Sequence, residues 1–99
     1  MQTCLLKFIV DESLNDLMSD VLLAYPEHGL KLTSYLVQTH HQGLAEKADI
    51  REQVSGFKQQ VVFEITLNED ESQAVYQYVE QALPYLEFEA QLLPLQILK

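Results

Sequence analysis

The residues best suited to chemistry are two adjacent histidines, His40 and His41, near the middle of the chain. Imidazole is the commonest metal ligand near neutral pH. Neighbouring residues of a strand point to opposite faces, so the pair can hold one ion only if the strand has already ended. Without converging partners, both histidines are ordinary polar loop residues. Other ligand types are present, at no recognised metal-binding spacing: Cys4, His28, Glu46 and Asp49.

A second candidate is the carboxylate pair Glu87 and Glu89, whose period of two places both side chains on one face of a strand. Paired carboxylates can transfer protons when a pocket surrounds them. Otherwise they form a solvated or interfacial strand edge, which is the interpretation we favour. The sequence has no Cys-x-x-Cys pair, no nucleophile elbow and no glycine-rich phosphate loop. Because no catalytic motif is present in the sequence, we favour a protein that is not an enzyme.

The composition limits the partners. Fifteen acidic residues against six basic ones give a net charge of −9, which disfavours nucleic acids and anionic membrane surfaces. The apolar runs fall far short of the ~20 residues that span a bilayer, and residues 1–10 lack the pattern of a signal peptide. A single cysteine excludes an internal disulfide. We therefore expect a cytoplasmic protein that does not insert into a membrane.

One domain must position these candidates, because 99 residues cannot build two cores. Alternating apolar residues and a high content of β-formers predict four strands. Pro94 cannot donate a backbone hydrogen bond, so the fourth strand should be an edge strand, or should be bulged or divided there. The predicted strands cover residues 4–10, 30–39, 61–67 and from 85 toward 97.

Two segments with helical spacing separate the strands. A helix over 14–25 should begin after Ser13, the expected N-cap, with Asp16 three residues further on. A second helix should begin at residues 68–71, where acidic side chains suit the positive end of the helix dipole, and should end at Pro84. Tyr76 is expected on its surface. The expected buried stripes are Leu14, Leu17, Met18, Val21, Leu22 and Tyr25 on the first helix, and Val75, Tyr78, Val79, Ala82 and Leu83 on the second.

The element order predicts an α+β, ferredoxin-like βαββαβ sandwich. Right-handed crossovers place both helices on one face of a four-stranded antiparallel sheet, in spatial order 4-1-3-2. The helices should cover Leu6, Phe8, Val10, Val61, Phe63, Ile65 and Leu67.

The opposite face of the sheet should then carry a mixed set that is too apolar to lie fully in water. We therefore expect this face to meet another subunit. The alternative is a half-wet sheet with scattered apolar residues. The set is Leu5, Lys7, Ile9, Tyr35, Val37, Val62, Glu64 and Thr66.

Between the second and third strands, residues 40–58 show no clear period and contain Gly43 and Gly56. A loop of this length inside a small domain is uncommon and is usually functional or mobile. A short helix at 48–54 is the alternative for part of it.

The centre of the chain resembles PII signalling proteins, in which a long loop after the second strand leads into a strand and then into a helix with an acidic start. That order appears here in Glu52-Gln53-Val54-Ser55-Gly56, in the strand from Lys58 to Leu67, and in the helix start at Asn68. The whole chain looks most like a small uncharacterised PII-like family, identified by its length and its Glu-Gln-Val-x-Gly stretch. More distantly it resembles the CutA-type divalent-cation tolerance proteins.

The resemblance implies a homotrimer with its sheets turned inward, and ligands in clefts between subunits beside the long loop. Typical ligands are adenine nucleotides, and typical partners are enzymes, regulators and membrane transporters. It implies a non-enzymatic regulatory protein that acts through residues 40–58 on a protein partner. A CutA-like role in metal binding is the alternative, and a small enzyme is less favoured. The implied ligand-binding residues are His40, His41, Gly43, Glu52, Gly56 and Lys58, with His40 and His41 as candidate metal ligands.

The sequence departs from classical PII proteins where those hold phosphates. Classical members have a loop rich in Gly and Lys between the second helix and the fourth strand, and arginines near the C-terminus. Here Ala82-Leu83-Pro84-Tyr85-Leu86 makes the connection, and Lys99 is the only basic residue after Glu87. Because a phosphate site needs backbone donors and cations, ATP binding in the classical mode is disfavoured. Residues 40–58 also lack the tyrosine that classical members modify, and the cofactor stays unknown.

Overall fold

Four strands and two α-helices build a two-layer α+β sandwich in a computed structural model that describes residues 2–27, 29–42 and 56–99. The strands form one antiparallel sheet in the order β2-β3-β1-β4, which is the predicted order read from the other edge. The ferredoxin-like fold class is confirmed. The elements are β1 Thr3–Asp11, α1 Asn15–Leu23, β2 Thr33–Thr39, β3 Lys58–Asn68, α2 Glu69–Ala82 and β4 Glu89–Pro94.

The period of two in the central strands separates the two faces of the sheet. In the β1–β3 register Leu6 lies opposite Ile65, and Phe8 lies opposite Phe63. All four side chains are buried. Because they share one face, that face forms the core against the helices, as predicted. The predicted members Val10 and Val61 are also buried, and Leu67 packs against the core.

The first helix begins differently from the prediction. Asp11, at the end of β1, accepts a hydrogen bond from the backbone N–H of Ser13 at 2.9 Å and another from its hydroxyl at 2.5 Å. Asp11 is therefore the cap, and Ser13 lies inside a 3-10 turn, Glu12–Leu14, that precedes α1. Both residue types cap helices well, and here the first one is used.

The apolar stripe of α1 is only partly as predicted. Met18 and Leu22 are fully buried, and Leu14, Val21 and Tyr25 pack against the core. Leu17 is 45% exposed, so its assignment to the core was wrong. The buried face of this nine-residue helix is centred on Met18 and Leu22, and it is too narrow to include Leu17 as well.

The second helix begins at Asn68, whose side chain accepts from the backbone N–H of Glu71 at 2.8 Å. Val75 and Val79 are fully buried, whereas Ala82, in the last turn, is exposed and was wrongly assigned to the core. Tyr78 is half-buried, and its hydroxyl donates to the Val21 carbonyl at 2.8 Å, joining α2 to α1. Tyr76 is half-buried as well, rather than fully on the surface.

Three strand bounds also differ from the prediction. Leu30 and Leu32 pack against the core before β2 begins at Thr33, so their apolar character reflects packing and not strand pairing. The third strand begins three residues earlier, at Lys58. The fourth begins only at Glu89, because Phe88 stacks edge-to-face on Phe8, at 5.7 Å between ring centroids.

The prediction for Pro94 is confirmed, because β4 is an edge strand and ends at this proline. Pro94 lies opposite Cys4 in the register. The next residue, Leu95, donates its backbone N–H to the Thr3 carbonyl at 2.9 Å. The missing proline donor therefore leaves the contact with β1 intact.

Candidate functional site

The two segments that precede and follow residues 43–55 lie side by side at one end of the sheet. Thr39, the last residue of β2, pairs with Lys58, the first residue of β3. Just beyond this pair, the rings of His40 and Phe57 pack at 5.7 Å between centroids. Gly56 has a φ of +78°, a backbone conformation that favours glycine. We call this end of the sheet the loop neck; it consists of Thr39 and His40 on one side and of residues 56–58 on the other.

The loop neck decides one point about the histidine pair. Because β2 ends at Thr39, the alternation of a strand no longer forces His40 and His41 apart. Both side chains are exposed. Cys4 is buried at the opposite end of β1 and so cannot share an ion with them. Within the described part of the chain no three His, Cys, Asp or Glu side chains form a metal-ligand group. Metal binding by this pair stays a prediction, and His28, Glu46 and Asp49 lie outside the described residues.

Lys58 and the predicted carboxylate pair line one cleft, of about 560 Å³, beside the loop neck. Gln60 and Leu86 line it as well. Glu87 precedes β4 and Glu89 begins it, so the two were wrongly placed on one strand; both side chains are exposed. Two residues of the predicted ligand set, Gly43 and Glu52, lie outside the described residues. Lys58 and the carboxylates of Glu87 and Glu89, which the prediction treated separately, thus line the same cleft.

The open face of the sheet, which carries no helix, has a polar cluster at its centre. The Tyr35 hydroxyl donates to Glu64 Oε2 at 2.8 Å, and Lys7 Nζ lies 3.6 Å from the same oxygen. The hydrogen bond to Glu64 is the main cause that raises the pKa of Tyr35, with smaller contributions from desolvation and the carboxylate charge. Lys7 and Glu64 thus form an ion pair on the open face.

Apolar side chains share the open face with this polar cluster, in which Gln91 lies opposite Lys7 and Thr33 lies opposite Glu64. Val62 is buried, whereas Leu5, Ile9 and Val37 are half-buried. From β4, Leu93 joins the same face opposite Leu5 and is 38% exposed. The predicted set therefore lies together, with Leu93 as an additional member. The period of two along β4 would have shown Leu93 once the register with β1 was known.

The Tyr35–Glu64 bond was missed by the sequence analysis. Tyr35 lies opposite Val62 in the β2–β3 register, and Glu64 is two residues further along β3. Diagonal neighbours of this kind lie within reach of aromatic side chains. Both residues could be assigned to strands from the sequence, but only the register between β2 and β3 shows that they are diagonal neighbours.

A comparison with protein families matches residues 1–93 to the family described as "Protein of unknown function (DUF3240)". The chain belongs to this family. No curated protein matches it. The resemblance to a small PII-like family is confirmed by this match and by the solved structures that share the fold.

Three solved structures illustrate the shared fold. A DUF3240 family protein from Shewanella baltica OS155 is 14% identical, with a TM-score of 0.63 and coverage of 100% of this chain and 96% of that one. Arabidopsis thaliana PII bound to citrate is 18% identical, with a TM-score of 0.62 over 96% and 78%. CPII from Thiomonas intermedia K12, bound to ADP, AMP and acetate, is 10% identical, with a TM-score of 0.62 over 98% and 89%. The fold of this chain is thus that of PII-like proteins.

None of the described helices has the length and apolar character needed to cross a membrane.

Proposed function

We propose that this protein is a non-enzymatic, PII-like regulatory protein that binds a small ligand beside the loop neck and acts through residues 40–58 on a protein partner. The observation that carries the proposal is the loop neck itself. Two paired strands and the His40–Phe57 contact fix both ends of a long insertion on a rigid sheet. Loops held in this way on a rigid scaffold commonly carry binding function. The PII-like fold supports the same conclusion.

The ligand cleft of this proposal is the one lined by Lys58, Gln60, Glu87 and Glu89. Lys58 is the only cation among its described lining residues, and three carboxylates, Asp11, Glu87 and Glu89, line the cleft with it. A triphosphate needs several donors and cations, so a ligand of low negative charge, or one neutralised by a cation, fits this cleft better. CPII, which shares the fold, binds ADP, AMP and acetate. Among nucleotides, we therefore expect AMP to be preferred over ATP.

The proposal excludes catalysis by the carboxylate pair. Glu87 and Glu89 are exposed and lie in an open cleft. Gln91 donates to Glu89 at 2.7 Å, so one of the two already has a polar partner. Proton transfer by paired carboxylates needs a pocket that encloses them and the substrate, and an open cleft with exposed side chains does not provide one.

We further propose that the protein is a cytoplasmic homo-oligomer, a trimer by its resemblance to PII proteins, assembled through the open face. The half-buried Lys7–Glu64 pair, together with Leu5, Ile9 and Val37 on the same face, supports this assembly. If about 400 Å² of apolar surface per subunit were buried at ~25 cal/mol per Å², the gross gain would be on the order of 10 kcal/mol. Association and ordering costs remove part of this gain. Ligand clefts between subunits would then depend on the assembly.

A divalent-metal role is the second candidate. It is favoured by the end of β2 at Thr39, which frees His40 and His41 from the alternation of the strand.

Calorimetric titration with AMP, ADP, citrate and zinc tests the proposed function. The wild type should bind at least one of them, and replacement of residues 43–55 by a Gly-Ser linker should weaken binding at least tenfold. Lys58→Ala should weaken the binding of an anionic ligand. Lys31→Ala should not, because Lys31 is an exposed lysine outside the cleft. Equal binding by the wild type and the linker variant, or no binding by either, would contradict the proposal.

A further inference from the structure

A second, separate groove runs between α2 and the edge strand β4. Its volume is about 800 Å³, within the range typical of small-molecule sites. Side chains from β1, from α2, from the connection after α2 and from β4 line it. The apolar part consists of Leu6, Leu83, Leu86, Phe88, Ala90 and Leu92.

The groove also contains the only buried polar residue among those that the structure describes. Ser72 of α2 is fully buried, and its hydroxyl has no hydrogen-bond partner among the described residues. Even the Asn68 carbonyl, one turn earlier in the chain, does not accept from it. The position lies on the buried face of α2 with Val75 and Val79, where an apolar side chain would be expected. An unpaired buried hydroxyl is destabilising unless a group outside the described chain satisfies it.

The charges of the groove define what it can accept. Among the residues that the structure describes, Tyr76 and Glu80 are the only ionisable groups that line it, and the Tyr76 hydroxyl donates to Glu80. No cation lines it within the described part of the chain, and the protein carries a net charge of −9. Phosphates and carboxylates are therefore disfavoured. Amides at the rim, from Gln73, Gln81 and Gln91, add neutral donors and acceptors.

From these observations we propose that the groove between α2 and β4 binds an uncharged, elongated apolar molecule whose hydroxyl or carbonyl group hydrogen-bonds to Ser72. The apolar wall from Leu6 to Leu92 holds the chain of the ligand, and Ser72 fixes its polar end. The site is independent of the proposed function, because it does not include the loop neck or Lys58. The other candidate occupant is the exposed segment that contains Ile97 and Leu98, from a second copy of the chain.

The test uses 1-decanol as the probe and decanoate as its matched anion. Thermal melting should show a stabilisation of the wild type by 1-decanol and at most a small one by decanoate. In a ¹⁵N–¹H correlation spectrum, 1-decanol should shift the amides of Ser72, Tyr76 and Leu92 more than those of β2. Equal effects of the two probes, or shifts spread evenly over the sheet, would overturn the proposal.

Three variants test the contacts. Ser72→Ala removes the unpaired hydroxyl, so the protein should stay folded while its affinity for 1-decanol falls about fivefold, the equivalent of one ordinary hydrogen bond. Leu92→Asp should abolish binding. Leu23→Asp is the control, because Leu23 is exposed on α1 and lies outside both the groove and the open face. Unchanged affinity in Ser72→Ala, or equal loss in both leucine variants, would overturn the proposal.

Two further measurements separate the occupants and the functions. Replacement of residues 43–55 should leave 1-decanol binding unchanged even if it removes the binding of nucleotide or metal. If 1-decanol binds only after deletion of residues 95–99, a second copy fills the groove and the proposal is wrong. Binding by the full-length chain at the same affinity as the deletion variant supports a small-molecule site.

Discussion

Tyr35 and Glu64 are joined by a hydrogen bond of 2.8 Å between neighbouring strands of the open face. The same carboxylate oxygen lies 3.6 Å from Lys7 Nζ, so Glu64 connects β2, β3 and β1. This arrangement satisfies three polar side chains that an interface would desolvate. The cluster is therefore compatible with burial against another subunit.

The first prediction concerns the ionisation of Tyr35, whose pKa is raised mainly by its hydrogen bond to Glu64. Because the folded state holds this proton more tightly, its contribution to stability is present below the ordinary tyrosine pKa of about 10 and is lost as the pH rises through the higher folded value. Glu64→Leu removes the hydrogen-bond acceptor and should lower the pKa of Tyr35. A ¹³Cζ titration by NMR measures it, and an identical midpoint in both proteins would show that the bond is not the cause.

The second prediction concerns assembly through the open face. Ile9→Asp places a carboxylate opposite Val62 on one side and Glu89 on the other, and it should dissociate the oligomer, because an unpaired charge at an interface is costly. Light scattering at micromolar concentration should show the wild type above the 11.4 kDa of one chain and the variant at that mass. Leu23→Asp is the control, since Leu23 on α1 is 66% exposed. A monomeric wild type would refute the interface.

The third prediction concerns the start of α2. Asn68 accepts from the Glu71 N–H at 2.8 Å, which caps the helix, and donates to the Glu71 carboxylate at 2.7 Å, which holds the capping side chain in place. Asn68→Ala should lower the free energy of unfolding by about 1 kcal/mol. Asn15→Ala should cost less, because the Asn15 side chain bonds only to Asp16. Chemical denaturation compares the two, and equal losses would argue against the cap.

The fourth prediction concerns metal binding by the histidine pair. If His40 and His41 hold an ion, zinc should raise the melting temperature of the wild type and should not raise that of His40→Ala or His41→Ala. The effect should weaken as the pH falls, because protons compete for the ligand nitrogens. A wild-type melting temperature that does not respond to zinc, copper or nickel would exclude the site.

The central sheet was predictable because its determinants are local. The alternation around Phe8 and Phe63 assigns both strands and both faces, and a slip of one residue would bury Lys7. The fourth strand was less predictable. Phe88 fits the alternation of a strand, yet it stacks on Phe8 before pairing begins at Glu89. The sequence alone does not distinguish an aromatic residue that packs in the core from one that lies in a hydrogen-bonded strand.

The candidate sites were less predictable than the fold, because each depends on contacts between distant residues. The neighbourhood of Lys58 and Glu87 depends on the packing of the connection after α2. The unpaired hydroxyl of Ser72 was missed, since serine occurs on many helix surfaces and its burial is decided by the strand beside it. The predicted roles of Gly43 and Glu52 stay predictions.

The buried thiol of Cys4 provides a built-in reporter of cooperative unfolding. Cys4 is 4% exposed and lies in β1, which is paired on both sides, with Leu67 in β3 and Pro94 in β4 as its opposite residues. Its side chain shares the face of Leu6 and Phe8, so a thiol reagent reaches it only when the layer over that face or the strand itself opens. The labelling rate at low reagent concentration therefore measures how often this part of the core opens, and its agreement with the global unfolding equilibrium would show that it opens only with the whole domain.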